Sequence, residues 1–259
     1  MLARNSRLNE CVTQPFAKFP VLLLTVFVIA SAGLIVAAQP PDTQEKPNGA
    51  VHAGDPAETS NPFQPMIDEQ WTEKWKWFSS DPDIALSKVW QVVRTKEGDE
   101  PTLICTGQPK GFLHTAAVWT DFEMTLEWKY TSDPDGNSGV LIFVQEESRV
   151  WPTSIQVQLH QPKAGSVFPS GDAKSDNTTE ADLAKPVGEW NTCRIVSLNG
   201  TITVEINGTR AGEITGAIPA TGKIALQSEG SEVHFRRLKI RPVASSKNDP
   251  PPAADDSTS

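Results

Sequence analysis

The chain has 259 residues, of which 38% are hydrophobic and 21% are charged, and its formal net charge is −9. This composition excludes a fully disordered or collagen-like chain, and the acidic balance argues against a nucleic-acid partner, because phosphate binding requires a concentrated basic surface. Three cysteines are too few for a disulfide scaffold, and none lies in a paired Cys-x-x-Cys arrangement of the kind that binds metals.

The N-terminal region contains an apolar, uncharged run over residues 21–38, and basic residues precede it. Small residues close the run, which favours a signal peptide cleaved before Gln39. The run also meets the minimum length of a membrane-spanning helix, so an uncleaved signal anchor is the alternative. Both interpretations make residues 1–38 a leader and predict an extracytoplasmic protein, secreted or periplasmic. Contact with the membrane is expected only through an uncleaved N-terminal segment.

Two further segments lack the composition of a folded unit. Residues 39–66 are rich in proline and polar residues, which is typical of a flexible linker. Residues 244–259 are predicted to form a disordered tail. One folded domain is therefore predicted over residues 67–243, a length that suits a single core.

Within that domain the hydrophobic period is two. Apolar and polar side chains alternate from Phe122 to Tyr130, which predicts a half-buried strand. The pairs Asn199-Gly200 and Asn207-Gly208 suit tight hairpin turns, because both central residues there adopt positive φ. The only candidate helix covers residues 68–77. Further strands are predicted at residues 155–160, 194–198, 201–206, 223–228 and 232–241. This pattern indicates an all-β sandwich or jelly roll of antiparallel sheets.

A polar loop, Asp133–Gly139, follows the strand that ends at Tyr130. Its Asp-x-Asp-x-Asn spacing resembles a calcium-binding loop, but the required glycine and the bidentate glutamate are missing. The Asp, Asn and Gly residues are equally typical of a turn, and the mismatch favours the turn.

Alternation places Gln156, Gln158 and His160 on one face of a strand. Amides both donate and accept hydrogen bonds, so this row could bind sugar hydroxyls. A solvated sheet face is equally compatible with the pattern. Of the eight tryptophans, Trp128 is predicted on a core face. Five others could stack on sugar rings or pack in the core, which is the commoner use: Trp71, Trp75, Trp77, Trp119 and Trp151.

A third group of polar side chains lies near the C-terminal strand ends, where Gln227 and Glu229 precede His234 and Arg236. A charged hairpin is the alternative interpretation. The sequence contains no Gly-x-Ser-x-Gly or His-Glu-x-x-His motif, and a three-histidine zinc site would need every histidine of the predicted domain. No metal ligand is predicted, and the cofactor remains unassigned.

A series of short motifs follows one order along the predicted domain. They include Asn137-Ser138-Gly139-Val140 and Val233-x-Phe235-Arg236, and the full series lies at residues 121–128, 137–140, 158–159, 185–191, 207–208, 224–230 and 233–236. This order resembles the 3-keto-disaccharide hydrolase family, which has a concanavalin A-like lectin/glucanase β-sandwich. The resemblance covers about residues 71–243.

The resemblance implies an exported, carbohydrate-active protein that cleaves a glycosidic bond in a 3-keto-glycoside or disaccharide. A ketone at C3 acidifies the hydrogen on C2, so the group on C1 can leave by elimination. Such a glycosidase needs a base and an oxyanion stabiliser instead of the two carboxylates of ordinary glycoside hydrolases.

On this hypothesis His160 or Glu229 is the catalytic base. The predicted substrate-binding residues, which would hold the sugar hydroxyls, are Asn137, Ser138, Gln156, Gln158, Gln227 and Arg236.

The chain departs from the family pattern where catalysis is concerned. Gln156 and His160 occupy positions at which the family usually has carboxylates, and Arg237 stands where the family usually has Asn. Gln156 cannot act as a base, whereas His160 could, because imidazole titrates near neutral pH. Two alternatives to an enzyme therefore stay open: a non-catalytic carbohydrate-binding module, and a structural domain that interacts through its acidic surface.

Overall fold

The computed structural model of the chain describes residues 61–96 and 98–244. The predicted leader, most of the predicted linker and nearly all of the predicted tail lie outside the described residues. Helical structure is confined to α1 (Trp71–Lys74), α2 (Leu86–Val89) and a 3₁₀ turn (Gln161–Lys163) within the described ranges. The strands are β1 (Gln64–Pro65), β2 (Trp75–Ser79), β3 (Trp90–Val93), β4 (Thr102–Cys105), β5 (Gly111–Thr115), β6 (Phe122–Tyr130), β7 (Gly139–Val144), β8 (Ser154–Gln158), β9 (Gly165–Ser170), β10 (Thr179–Asp182), β11 (Asn191–Leu198), β12 (Thr201–Ile206), β13 (Thr209–Ile214), β14 (Lys223–Ser228) and β15 (Val233–Pro242).

The strands form two antiparallel sheets. The front sheet has the order β10-β9-β8-β7-β14-β5-β2, and the back sheet has the order β13-β12-β11-β6-β15-β4-β3, with β1 paired to β15. Each sheet combines strands that are consecutive in sequence with pairs from distant parts of the chain, such as β7-β14 and β6-β15, as in a jelly roll. The predicted all-β sandwich of two antiparallel sheets is confirmed.

The core lies between the sheets and follows the predicted alternation. On β6 the side chains of Phe122, Met124 and Trp128 are fully buried, and they pack in one cluster with Val140 and Leu226 of the front sheet. Burial of each such large apolar side chain contributes about 1.5–3 kcal/mol to folding. The bounds predicted for β6, β12 and β14 agree with the structure.

Both predicted hairpin turns are confirmed. Asn199 and Gly200 connect β11 to β12 with φ of 52° and 76°, and Asn207 and Gly208 connect β12 to β13 with φ of 53° and 77°. Positive φ at both central residues is the geometry that matches the twist of the flanking strands.

The helix predicted over residues 68–77 is wrong. The chain forms only the single turn α1 and then enters β2 at Trp75. The indole of Trp75 is buried, and its Nε1 donates a 2.8 Å hydrogen bond to the carbonyl oxygen of Met66. Tertiary burial of this aromatic side chain therefore outweighs the local helical pattern.

The fold already includes the end of the predicted linker. Gln64 pairs with Ile240 and Pro65 with Lys239, while the Met66 side chain is buried. These contacts attach the N-terminal end of the described chain to β15 in the interior of the back sheet.

Cys105 and Cys193 are both buried and both free. Burial raises the pKa of each thiol to about 12. Neither thiol is therefore expected to react while the protein is folded.

None of the helices in the described part of the chain is long and apolar enough to span a bilayer. The apolar run at residues 21–38 lies outside that part.

Candidate functional site

The outer face of the front sheet brings three predicted glutamines together. Gly139 on β7 pairs with Gln158 on β8, and the neighbouring pair Leu226–Val140 places Gln227 of β14 on the other side of Gly139. Gln156 lies two residues before Gln158 and therefore on the same face. Side chains from three adjacent strands consequently converge over Gly139.

These glutamines, Gln156, Gln158 and Gln227, form an amide cluster. The Nε2 of Gln156 donates to Oε1 of Gln158 at 3.2 Å. A Cβ on Gly139 would lie well inside 3.0 Å of the Gln227 Oε1 and 3.3 Å from the Gln156 Nε2, so only glycine leaves room for both amides. The Gln227 side chain is 1% exposed, and its Oε1 has no hydrogen-bond partner among the described residues. The described residues therefore leave this buried acceptor unsatisfied.

Glu229 continues the same face two residues beyond Gln227. Its side chain is only 7% exposed, and its Oε1 accepts a 2.8 Å hydrogen bond from the ammonium of Lys110. Its Oε2 is buried and has no hydrogen-bond partner among the described residues. An unpaired buried acceptor costs roughly 1–3 kcal/mol, and such groups are concentrated where function requires them. Glu229 therefore has one oxygen anchored by Lys110 and one buried oxygen that the described residues leave without a hydrogen-bond partner.

Asn137 and His160 lie at the end of this face. The Asn137 backbone N–H donates to Ser231 Oγ at 3.2 Å, and its side-chain Oδ1 is buried without a hydrogen-bond partner among the described residues. The Nε2 of His160 lies 2.9 Å from Oδ1 of Asp135. Both residues therefore extend the polar face beyond the amide cluster, and His160 is engaged by the 133–139 loop.

The Asp133–Gly139 loop has the hydrogen bonds of a turn. The Oδ1 of Asp133 accepts a bond from the Asp135 N–H at 3.0 Å, and its Oδ2 accepts a bond from the Ser231 hydroxyl at 2.7 Å. Asp133 is thus occupied by the protein itself. No group of three or more His, Cys, Asp or Glu that could hold a metal ion is found in residues 61–96 and 98–244.

The loop between β7 and β8, residues 145–153, forms a wall of the site and is called the covering loop. Glu147 in this loop forms an ion pair with Lys223 on β14, and its Oε2 lies 3.3 Å from Nε2 of His114 on β5. The loop leaves β7 and reaches β14 and, beyond it, β5, so it folds over the outer face. Trp151 of the loop is 53% exposed, and its ring centre lies 5.6 Å from the Lys110 ammonium. An exposed tryptophan beside Lys110 and Glu229 is suited to stacking on a sugar ring.

Two predicted site residues do not join this face. Ser138 is fully buried, and its hydroxyl donates to the backbone oxygen of Gln227 at 2.8 Å, so it supports the site from within. Arg236 lies on β15 in the back sheet and points outward on the opposite side of the sandwich. Its Nε donates to Oε2 of Glu127 at 2.7 Å, and its guanidinium stacks on Trp190 at 4.1 Å. The prediction that Arg236 contacts the same substrate as Gln158 is therefore corrected.

Two further polar residues of the back sheet, Glu127 and His234, are paired with charged side chains. Burial raises the pKa of Glu127, but hydrogen bonds from Arg236 and Arg237 outweigh it, and the net pKa is lowered. His234 lies 2.9 Å from Oε1 of Glu232 on this same side. The three histidines considered for a zinc site are thus on different parts of the fold and do not converge.

Sequence reasoning missed Lys110 and the covering loop. Lys110 reaches Glu229 only because β5 pairs with β14, and these residues are 119 positions apart in the sequence. No local sequence pattern identifies Lys110 as a residue of the site. Trp151 was one of several tryptophans open to two interpretations, and its exposure now separates it from Trp75, which is in the core.

Acidification is expected to destabilise the protein through His114. Burial lowers the pKa of His114 below 6.5, against weaker raising effects from the Thr115 carbonyl and Glu147. The unfolded chain therefore takes up this proton more readily, and the stability associated with neutral His114 is lost as the pH falls below about 6.5. Urea unfolding at pH 7.5 and 5.5 measures the loss. A His114→Phe variant should show a smaller loss, and an equal loss in both proteins would contradict the assignment.

Comparison with known proteins gives a family and a fold. Residues 62–241 match the family described as 3-keto-alpha-glucoside-1,2-lyase-like domains. Two solved structures from Parabacteroides distasonis, both provisionally described as glycosyl hydrolases, are similar at 21% identity each. The first has a TM-score of 0.54, and the match covers 70% of this chain and 100% of that structure's chain. The second has a TM-score of 0.51, and the match covers 67% of this chain and 90% of that structure's chain. No curated protein matches the chain.

Proposed function

The chain belongs to the family of 3-keto-alpha-glucoside-1,2-lyase-like domains, and on that premise we propose that it cleaves a 3-keto-glucoside by elimination across C1 and C2. The observation that carries the proposal is Glu229, a buried carboxylate with one oxygen held by Lys110 and the other without a partner among the described residues. The family resemblance predicted from the sequence motifs is confirmed by the match.

Glu229 is proposed as the base that removes the hydrogen from C2 of the sugar. The electron pair of that C–H bond moves to the adjacent C3 carbonyl and gives an enolate. Collapse of the enolate forms the C1–C2 double bond and breaks the bond from C1 to the leaving oxygen. The proton held by Glu229 or a water molecule then neutralises the leaving group. Donors aimed at the developing oxyanion lower the barrier of such a step.

The other residues of the face supply orientation and charge. Lys110 holds the position of Glu229 and brings a positive charge to the side on which negative charge develops. The amide cluster and Asn137 offer donors and acceptors to sugar hydroxyls, and Trp151 offers a ring face. His160 is paired with Asp135, so it is proposed as a hydroxyl-binding group at the rim and Glu229 as the base.

Aglycone release from nitrophenyl 3-keto-α-glucoside tests the proposal. We expect release by the purified protein, slower release from the substrate deuterated at C2, and an unsaturated sugar product. The unoxidised nitrophenyl glucoside should not be cleaved, because its C2 hydrogen is not acidic. No release above the buffer rate across a panel of divalent metals would overturn the proposal, and so would equal release from the unoxidised glucoside.

A binding module without turnover is the second candidate. The observation that favours it is the presence of Gln156 and Gln158, which do not titrate, in the centre of the face. Calorimetry with the 3-keto-glucoside distinguishes the two, because a binding module would retain the ligand uncleaved. The leader predicted over residues 1–38 supports an extracytoplasmic location for either activity.

A further inference from the structure

A second groove adjoins the amide cluster on the outer face of the front sheet. It lies over β9 and β10, has a volume of about 590 Å³, and is closed at one end by Pro162 and Lys163 of the 3₁₀ turn. Ser166, Phe168, Glu180 and Asp182 are among the residues that line it. This depression is called the β9 groove.

The β9 groove lies beside the amide cluster. Phe168 pairs directly with Gln156 across β8 and β9, and the pair Val157–Val167 places Ser166 beside Gln158. Neighbouring strands lie about 4.8 Å apart, so the groove begins one strand spacing from the glutamines. From β14, which precedes Glu229, to β9 there are three such spacings, or about 14 Å. A single sugar ring at Glu229 would not reach this groove, whereas a chain of sugars would.

The lining of the β9 groove has the chemistry that sugars need. Phe168 is half-buried and offers an apolar ring beside the amides, while Lys163, Glu180 and Asp182 are exposed and can bond hydroxyls. The Ser166 hydroxyl donates to the Ala181 carbonyl at 3.1 Å and accepts from the Ala181 N–H at 3.0 Å. Those two bonds fix β9 against β10, so the groove is held open by the sheet itself.

We propose that the β9 groove binds the sugar units of the leaving group, and that the preferred substrate is consequently a 3-keto-oligoglucoside. The inference rests on the proposed function, because it takes the keto-sugar ring to lie at Glu229 with the rest of the substrate extending from C1. Phe168 then acts as a specificity-determining residue, since only substrates with a sugar leaving group reach it.

Two substrates of different length test the proposal: methyl 3-keto-α-D-glucoside, and maltotriose oxidised to a ketone at C3 of its non-reducing ring. Wild-type protein is expected to have a higher kcat/KM for the longer substrate. Phe168→Ala is expected to lower the ratio of long to short kcat/KM by about three- to tenfold, mainly through KM, because one ring contact is lost. Lys163→Ala at the end of the groove should lower the same ratio.

Phe63→Ala is the matched control, because that ring lies 4.5 Å from the Arg241 guanidinium, which is part of the back sheet. Its ratio should equal the wild-type ratio. Equal kcat/KM values of the wild-type protein for the two substrates would overturn the proposed role of the β9 groove. The proposed function would still stand. Cleavage of neither substrate would overturn both. The change in this ratio between wild type and the groove variants decides the question, because methanol and a sugar alcohol also differ as leaving groups. Either Phe168→Ala or Lys163→Ala suffices if the other variant fails to fold.

Discussion

Glu229→Gln is expected to lower kcat for cleavage of a 3-keto-glucoside by roughly 10²–10⁴-fold, the usual contribution of a catalytic base. Glutamine has nearly the same shape and can still accept the hydrogen bond from Lys110, but it cannot take the proton from C2. Initial rates of aglycone release measure the effect. Calorimetry should show that the variant still binds the substrate, since the amide cluster is unchanged.

Glu232→Gln is the matched control for this prediction. Glu232 is a half-exposed carboxylate beside His234, away from the site, and its loss should leave the rate within about twofold of wild type. A Glu229→Gln protein that keeps a tenth or more of the wild-type rate would contradict the assignment. If His160→Ala abolishes the rate instead, then His160 is the base.

Gly107→Ala is expected to lower the free energy of unfolding by about 3 kcal/mol. Gly107 has φ of 83°, where an L-residue carries a strain of about 1–2 kcal/mol. Its Cβ would also lie inside 3.0 Å of three backbone atoms of Ser231, which cannot rotate away. Overpacking of this kind costs about 1–3 kcal/mol more. The Gly107 carbonyl accepts the Gly230 N–H at 2.8 Å, so the same substitution should also displace Glu229 and lower activity.

Gly208→Ala separates the two contributions. Gly208 has a similar φ of 77°, but no atom lies within 4 Å of a Cβ at that position. Only the backbone strain remains, and the expected loss is about 1 kcal/mol. Urea unfolding of both variants at pH 7.5 provides the comparison. Equal losses would mean that the approach to Ser231 is not the cause of the effect at Gly107.

The local rules of strand formation predicted much of the fold and the face shared by two residues of the candidate site. Alternation from Phe122 to Tyr130 defines β6, and Asn-Gly pairs mark both hairpins, because these signals depend on neighbouring residues. Alternation likewise predicted that Gln156 and Gln158 share a face. Gln227 was predicted from its motif, and strand pairing then explains why it reaches the other two glutamines.

These local rules could not predict which of the two sheets each strand joins. Glu229 and Arg236 are close in sequence and share one motif region, yet the chain crosses from the front sheet to the back sheet between them. Side-chain alternation assigns a face within a strand and contains no information about which layer the strand joins. The pairing of Lys110 with Glu229 has the same long-range origin.

The substitution at Arg237 has a local structural explanation. Arg237 has φ of 54° at a register shift in β15, and both Arg236 and Arg237 bond to Glu127. Asparagine, the residue that the family resemblance leads us to expect at this position, adopts that left-handed conformation more readily than arginine. The two hydrogen bonds from adjacent guanidinium groups to one carboxylate offset that strain.

The two buried, free cysteines have a practical consequence for producing and purifying the protein. Cys105 and Cys193 stabilise the core as small apolar side chains, and folding of the described region does not depend on a covalent bond between them. Production in a reducing cytoplasm therefore needs no oxidative folding machinery. Reducing agents can be present throughout purification and assay, because no cross-link in the described region is at risk.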